Sequence, residues 1–243
     1  MIDVQSLTKL YGDFVAVNEL SFGVQPGEVL GLVGPNGAGK TTTLRCLSGI
    51  IPPTRGVIRV CNYDVLTQPI QAKKQLALFT DEPRLFEYLT VEQHLAFTAR
   101  IYQVPQYQQK AQVLLQELEL AEKKTCLPAE LSRGMKQKLV IACGLLHNPK
   151  VIYFDEPLTG LDPIGIRRMK DSILKRAREG AAIIISSHLL HLVQEICSHI
   201  LILKNGRKVS FGTMQEIARQ YSDQTGDANL EEAFFRATGE PDR

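Results

Sequence analysis

A chain of 243 residues with 44% hydrophobic and 22% charged residues is long enough to bury a sizeable core. Its formal net charge of +2 excludes the basic stripe of a dedicated nucleic-acid binder, and no apolar run approaches the ~18–20 residues that cross a bilayer. The five cysteines are odd in number and lack a C-x-x-C pair, and Met1 to Ser6 have neither the basic start nor the apolar segment of a signal peptide, so free thiols in a reducing compartment are expected.

Short apolar pieces in residues 1–25, such as Phe14–Val17, predict antiparallel strands leading to a turn at Gln25-Pro26-Gly27. Glu28 to Val33 reads as a buried strand. The next eight residues, Gly34-Pro35-Asn36-Gly37-Ala38-Gly39-Lys40-Thr41, match G-x-x-x-x-G-K-[ST] at every fixed position. Thr41 to Leu47 reads as the first turns of a helix, broken by Pro52 and Pro53. Gly56–Val60 and Leu76–Phe79 read as strands.

The middle of the chain changes character. Thr90-Val91-Glu92-Gln93 is a capping box opening a helix to about Tyr102. Residues 106–120 place Ala111, Leu114, Leu115 and Leu118 on one helical face, and Ser132 caps a third helix ending before Asn148-Pro149. A helical subdomain over 85–147 is therefore expected, inserted into a core made of 1–84 and 148–212. Val151–Phe154 and Ala182–Ile185 are continuous apolar runs, as in parallel strands covered on both faces, with a helix over 164–179 between them. Ile200–Leu203, Asn205-Gly206 and Arg207–Val209 spell a hairpin with a type I′ turn. The tail, 213–243, reads as helical and partly exposed, with a loop at Asp223–Asp227. The expected fold is α/β: a P-loop NTPase core with a mostly parallel sheet, an N-terminal antiparallel β subdomain and an inserted α-helical subdomain.

The glycine loop sets the chemistry. Its glycines let backbone N–H groups point at phosphates, and the helix N-terminus adds the positive end of its dipole. Lys40 is expected to reach the β- and γ-phosphates of a nucleoside triphosphate, and the Thr41 hydroxyl to ligate Mg²⁺. Asp155 and Glu156 end an apolar strand, where open α/β sheets bind ligands. Asp155 is expected to hold Mg²⁺, and Glu156 to polarise the attacking water. His188, after a second apolar strand, is placed to orient that water. His188 and His191 have no third ligand of the right kind for a metal site of their own. Ser132 and Gly134 at a helix start make a second anion site, which suggests two chains sharing nucleotide.

Five motifs stand in one order: GPNGAGKTT at 34–42, LSRGM at 131–135, VIYFDEP at 151–157, TGLDP at 159–163 and SSH at 186–188. By these motifs the chain resembles the nucleotide-binding subunit of an ABC (ATP-binding cassette) transporter over essentially all of residues 1–240. The resemblance implies a head-to-tail dimer with two ATP molecules at its interface. It also implies a separate transmembrane permease and a peripheral place on the cytoplasmic face of the membrane; no nucleic-acid partner is expected, given the net charge and the absence of heptads or a C-x-x-C pair between Lys40 and Asp155. Tyr11 matches the aromatic that stacks on adenine, Thr42 the second loop hydroxyl, and Asp162 the loop crossing the dimer interface. Phe86, Tyr88 and Leu89 become candidate contacts to the permease.

Four positions depart from the family's pattern, in three places. The usual LSGGQ carries Arg133 and Met135 here, which resembles subunits that drive ABC-2-type exporters. In place of the usual γ-phosphate-sensing Gln stands Asp81, or Glu82 if the alignment shifts by one, in Thr80-Asp81-Glu82-Pro83, and a carboxylate there can ligate Mg²⁺ or orient water. Cys61 stands where the family commonly has Gly. The competing reading on length is a soluble ABC ATPase serving an assembly such as iron–sulfur cluster biogenesis.

Overall fold

The computed structural model describes residues 1–157, 163–187, 189–221 and 230–239. Strands β1 (Ile2–Tyr11) and β2 (Phe14–Val24) form an antiparallel hairpin. β3 (Val29–Val33) leads to helix α1 (Lys40–Leu47), and β4 (Arg55–Val60) and β5 (Tyr63–Asp64) follow. The first sheet has the order β2-β1-β4-β5.

Helix α2 (Pro69–Gln75) precedes β6 (Leu76–Phe79), and the chain then turns helical: α3 (Val91–Tyr102), α4 (Tyr107–Glu117), two short 3-10 turns, and α5 (Arg133–Leu145). β7 (Val151–Asp155), α6 (Pro163–Arg178), β8 (Ala182–Ser186), α7 (Leu190–Ile196), β9 (His199–Lys204) and β10 (Arg207–Thr213) follow, with α8 (Met214–Tyr221) and α9 (Leu230–Thr238) at the end. The second sheet has the order β10-β9-β3-β8-β7-β6 and is parallel except for β10. This is the α/β architecture expected from the sequence.

The strand period of two divides the second sheet between two cores. Val29, Val33, Ile152, Phe154, Ile183 and Ile185 face the helical side, where Leu95, Leu139 and Leu145 join them. Leu30, Leu32, Val151, Tyr153 and Ile184 face the antiparallel sheet and α1, against Leu7, Leu20, Leu44 and Ile58. Every residue of β3 and β8 is buried, which is why these strands read as unbroken apolar runs rather than alternating ones.

The capping box forms as expected. Thr90 Oγ1 accepts from the Gln93 N–H at 3.3 Å, and the Thr90 N–H donates to Gln93 Oε1 at 2.8 Å. Thr90→Ala is expected to cost about 1 kcal/mol and lower Tm by roughly 2–4 °C, read by thermal circular dichroism. An unchanged Tm would mean that other partners satisfy the freed N–H. The hairpin turn has φ of 48° at Asn205 and 72° at Gly206, the positive pair that type I′ requires.

Several elements were not legible in the sequence. β5 has two residues, and α2 buries only Ala72, so neither carries a periodic signal. α7 is short as well, whereas α9 falls in the tail read as helical and buries Leu230, Ala233, Phe234 and Thr238 against the body of the molecule. The loop expected at Asp223–Asp227 lies outside the described residues. Among the described residues no helix is long and apolar enough to cross a membrane.

Candidate active site

The glycine loop joins β3 to α1 in the middle of the parallel sheet. Gly39 sits at φ 101°, a left-handed backbone, and a Cβ there would stand 2.6 Å from the Ala16 carbonyl oxygen. A Cβ at Gly34 would stand 2.4 Å from the Leu203 carbonyl oxygen. Only glycine lets the loop lie this close to its neighbours. Asn36, Gly37 and Thr41 are exposed along the loop, Pro35 and Thr42 are half-buried, and Ala38 is buried.

Lys40, 9% exposed, curls its amine back over the loop. Its Nζ donates to the Gly34 carbonyl at 2.6 Å and the Pro35 carbonyl at 3.1 Å. Burial pulls its pKa below the usual lysine value, while Glu156 and Asp155 act in the opposite direction. A cation and two carboxylates thus share the mouth of the loop.

The parallel register brings the carboxylates there. β3 pairs with β8 through Leu32 and Ser186, and β7 pairs with β8 through Asp155 and Ser186. Asp155 Oδ1 accepts from Ser186 Oγ at 2.5 Å and from Thr41 Oγ1 at 3.2 Å. The Glu156 N–H donates to the Ser186 carbonyl at 3.1 Å and to its hydroxyl at 3.2 Å. Glu156 takes φ of 53°, a left-handed conformation costing a non-glycine residue on the order of 1–3 kcal/mol. Ser186 therefore organises both acidic residues. Sequence reasoning noted it only within the SSH motif, because its partners come from another strand.

The remaining expected residues are scattered. Ser132 is exposed at the N-cap of α5, and its Oγ accepts from the Met135 N–H at 3.2 Å, which leaves its own proton for an outside acceptor. A Cβ on Gly134 would meet nothing within 4 Å, so packing inside this chain does not require glycine there. Among the described residues no hydrogen bond joins Ser132 to the glycine loop. Tyr11 ends β1 at 47% exposure, with Lys9 Nζ 5.1 Å from its ring centroid. Asp81 is exposed, and among the described residues its side chain makes no hydrogen bond or ion pair. The carbonyl of the preceding Thr80 accepts from Nε2 of the buried Gln137 of α5 at 3.1 Å, a tie that sequence reasoning missed. Cys61 has φ of 50°, which accounts for the glycine commonly found there. Asp162 and His188 lie outside the described residues.

The donor set fits a phosphate chain and a hard cation. Among the described residues the hydrogen-bond partners of Lys40 Nζ are two loop carbonyls, which phosphate oxygens can replace. Thr41 Oγ1 and Asp155 Oδ1 are adjacent oxygen donors of the kind Mg²⁺ takes. A strand–glycine loop–helix unit with Lys-Thr, beside a strand ending in Asp-Glu on the same sheet edge, defines a P-loop nucleoside triphosphatase.

Similarity to known proteins narrows the class. Residues 17–159 match the ABC transporter family. The chain is 31% identical over 242 residues to the ABC-type transporter ATP-binding protein EcsA of Bacillus subtilis, covering 99% of this chain and 97% of that protein. It is 36% identical over 213 residues to the Nod factor export ATP-binding protein I of Burkholderia thailandensis, covering 87% and 70%. A solved structure of an ATP-binding subunit of an ABC transporter superposes with TM-score 0.92 at 33% identity, covering 98% of this chain and 99% of that one. The chain belongs to the ABC transporter family and is an ATPase of that family.

Proposed function

We propose that this chain is the ATP-hydrolysing subunit of a membrane exporter and works as a head-to-tail dimer around two ATP molecules. The convergence of Lys40, Thr41, Asp155 and Glu156 at one sheet edge, with Ser132 turned outward elsewhere, carries this reading. Residues 34–42 cradle the triphosphate of the substrate through backbone N–H groups, and Tyr11 stacks on its adenine. Lys40 exchanges its two loop carbonyls for β- and γ-phosphate oxygens and stabilises the charge of phosphoryl transfer. Thr41 and Asp155, with Asp81 as a further carboxylate, would hold Mg²⁺, whose charge offsets that of the phosphates when bound. Glu156 draws a proton from the attacking water, and His188 orients that water.

Ser132 and Gly134 of a second chain complete the site by donating to the γ-phosphate, with Asp162 at the same interface. ATP thus bridges the two chains, and loss of its γ-phosphate releases them. The name of the Burkholderia relative and the Arg133 and Met135 variants both favour export. A groove lined by Ile50, Leu78, Tyr102, Val140 and His147 lies between β6 and α5. Phe86 and Tyr88, 56% and 88% exposed, stand just before α3. These residues form the surface offered to the permease, which would hold the chain at the cytoplasmic face of the membrane.

The test is capture of tagged Glu156→Gln protein from gently solubilised host membranes with Mg-ATP. A stoichiometric polytopic membrane protein is expected by mass spectrometry. Recovery of soluble partners alone would overturn the transporter reading.

A further inference from the structure

Two features have no role in the mechanism above. Arg133 replaces a small residue beside Ser132, and α9 lines an open cavity together with the glycine loop. Arg133 is the first residue of α5 and is exposed. Glu231 is the second residue of α9 and is also exposed. Among the described residues neither side chain forms an ion pair or a hydrogen bond.

Glu231 stands over an open cavity of about 620 Å³ that Gly34, Pro35, Asn36, His191 and Phe234 also line. It is the one carboxylate among the described residues around that cavity. The helix presenting it is anchored. Leu230, Ala233 and Phe234 are buried in the main core, Arg236 donates to the Tyr221 carbonyl at 2.6 Å, and Lys204 Nζ donates to the Thr238 carbonyl. Glu231 therefore has a defined place at the rim of the phosphate loop, although it lies far from that loop in the chain.

We propose that Arg133 of one copy pairs with Glu231 of a second copy across the ATP-closed interface. The inference rests on the dimer reading above. If Ser132 of one copy reaches the phosphate on the other copy's loop, the adjacent Arg133 stands at the rim of that loop. A long guanidinium side chain at that point faces a cavity that Glu231 lines as the one carboxylate among the described residues. Two-fold symmetry makes the pair twice, once at each nucleotide. The pair exists only in the closed state, so it adds to closure without altering the free chain. It also gives a guanidinium placed beside a nucleotide a protein counter-charge that persists when the γ-phosphate leaves.

The test uses the full-length chain carrying Glu156→Gln, so that the ATP-closed form accumulates. Dimerisation with Mg-ATP is measured by sedimentation at low and high salt. Arg133→Glu and Glu231→Arg are each expected to weaken the dimer by about tenfold at low salt, and the double reversal to restore it to within about twofold. High salt should narrow the gap between single variants and parent, because the contact is screened. Glu231→Gln, a milder change at an exposed position, should give a smaller loss in the same direction. Tm and ATP affinity of the separate chains should stay unchanged in every variant. Loss in Arg133→Glu without loss in Glu231→Arg would overturn the pair and assign Arg133 to the nucleotide instead. Losses that add in the double reversal would also overturn it. A parent chain that stays monomeric with Mg-ATP would remove the dimer reading itself, and the pair with it.

Discussion

Glu156→Gln is expected to keep ATP binding and to lose about 10²–10⁴-fold in turnover, the usual contribution of a general base. The change is nearly isosteric. Two hydrogen bonds run from the backbone N–H of residue 156 to Ser186, and an amide side chain leaves both in place. The left-handed backbone at this position is likewise kept, since glutamine has the same backbone demands as glutamate. What disappears is the proposed basic oxygen and one negative charge near Lys40. Without that charge burial weighs more heavily on the lysine, and its pKa moves further down, with Asp155 still opposing. Nucleotide affinity by fluorescence titration and single-turnover hydrolysis separate these effects. Turnover at the wild-type rate would remove Glu156 from the role of base.

Gly39→Ala is expected to damage both the fold and the nucleotide site. Two independent causes act at one atom. The backbone φ of 101° is a region that side-chain-bearing residues rarely occupy, at a cost on the order of 1–3 kcal/mol. The added Cβ also meets the Ala16 carbonyl oxygen at 2.6 Å, and a backbone atom of β2 cannot rotate away as a side chain can. A destabilisation of at least about 2 kcal/mol corresponds to a Tm loss of roughly 4–8 °C for a chain of this size. Relief of the clash moves the start of α1, and with it Lys40 and Thr41. ATP affinity should therefore fall with stability. A variant with lowered Tm but normal ATP affinity would show that the loop tolerates the shift and that its geometry is less demanding than the contacts imply.

Much of the site was legible before any coordinates. The loop at 34–41 spells its own geometry, because Gly39 and Gly37 take positive φ and Lys40 begins the helix. Asp155 and Glu156 were recognisable from the apolar run that precedes them, which ends at the carboxyl edge of the sheet. Thr90 with Gln93, and Asn205 with Gly206, were readable for the same reason: their partners are neighbours in the chain. Ser186 was harder. It reads as one hydroxyl after a buried strand, and only its register against β7 and β3 makes it the shared partner of Asp155 and Glu156. Asp81 illustrates a different limit. Its residue type signals a departure from the family, but its lone, exposed side chain acquires meaning only from what the neighbouring Thr80 is tied to.

Interactions within a few residues of one another settle turn chemistry, helix caps and the glycine loop, and these could be derived from side-chain type and spacing alone. They also sufficed to mark the chain as a nucleotide-binding α/β protein, since the phosphate loop is a continuous segment. Packing between distant segments decided the rest. The Thr41–Asp155 contact, the Gln137 hold on Thr80 and the placement of α9 beside Gly34 each join positions far apart in the chain. Such contacts depend on strand order, parallel register and the burial of short helices such as α9, where a few apolar residues find a complementary surface that no local pattern announces.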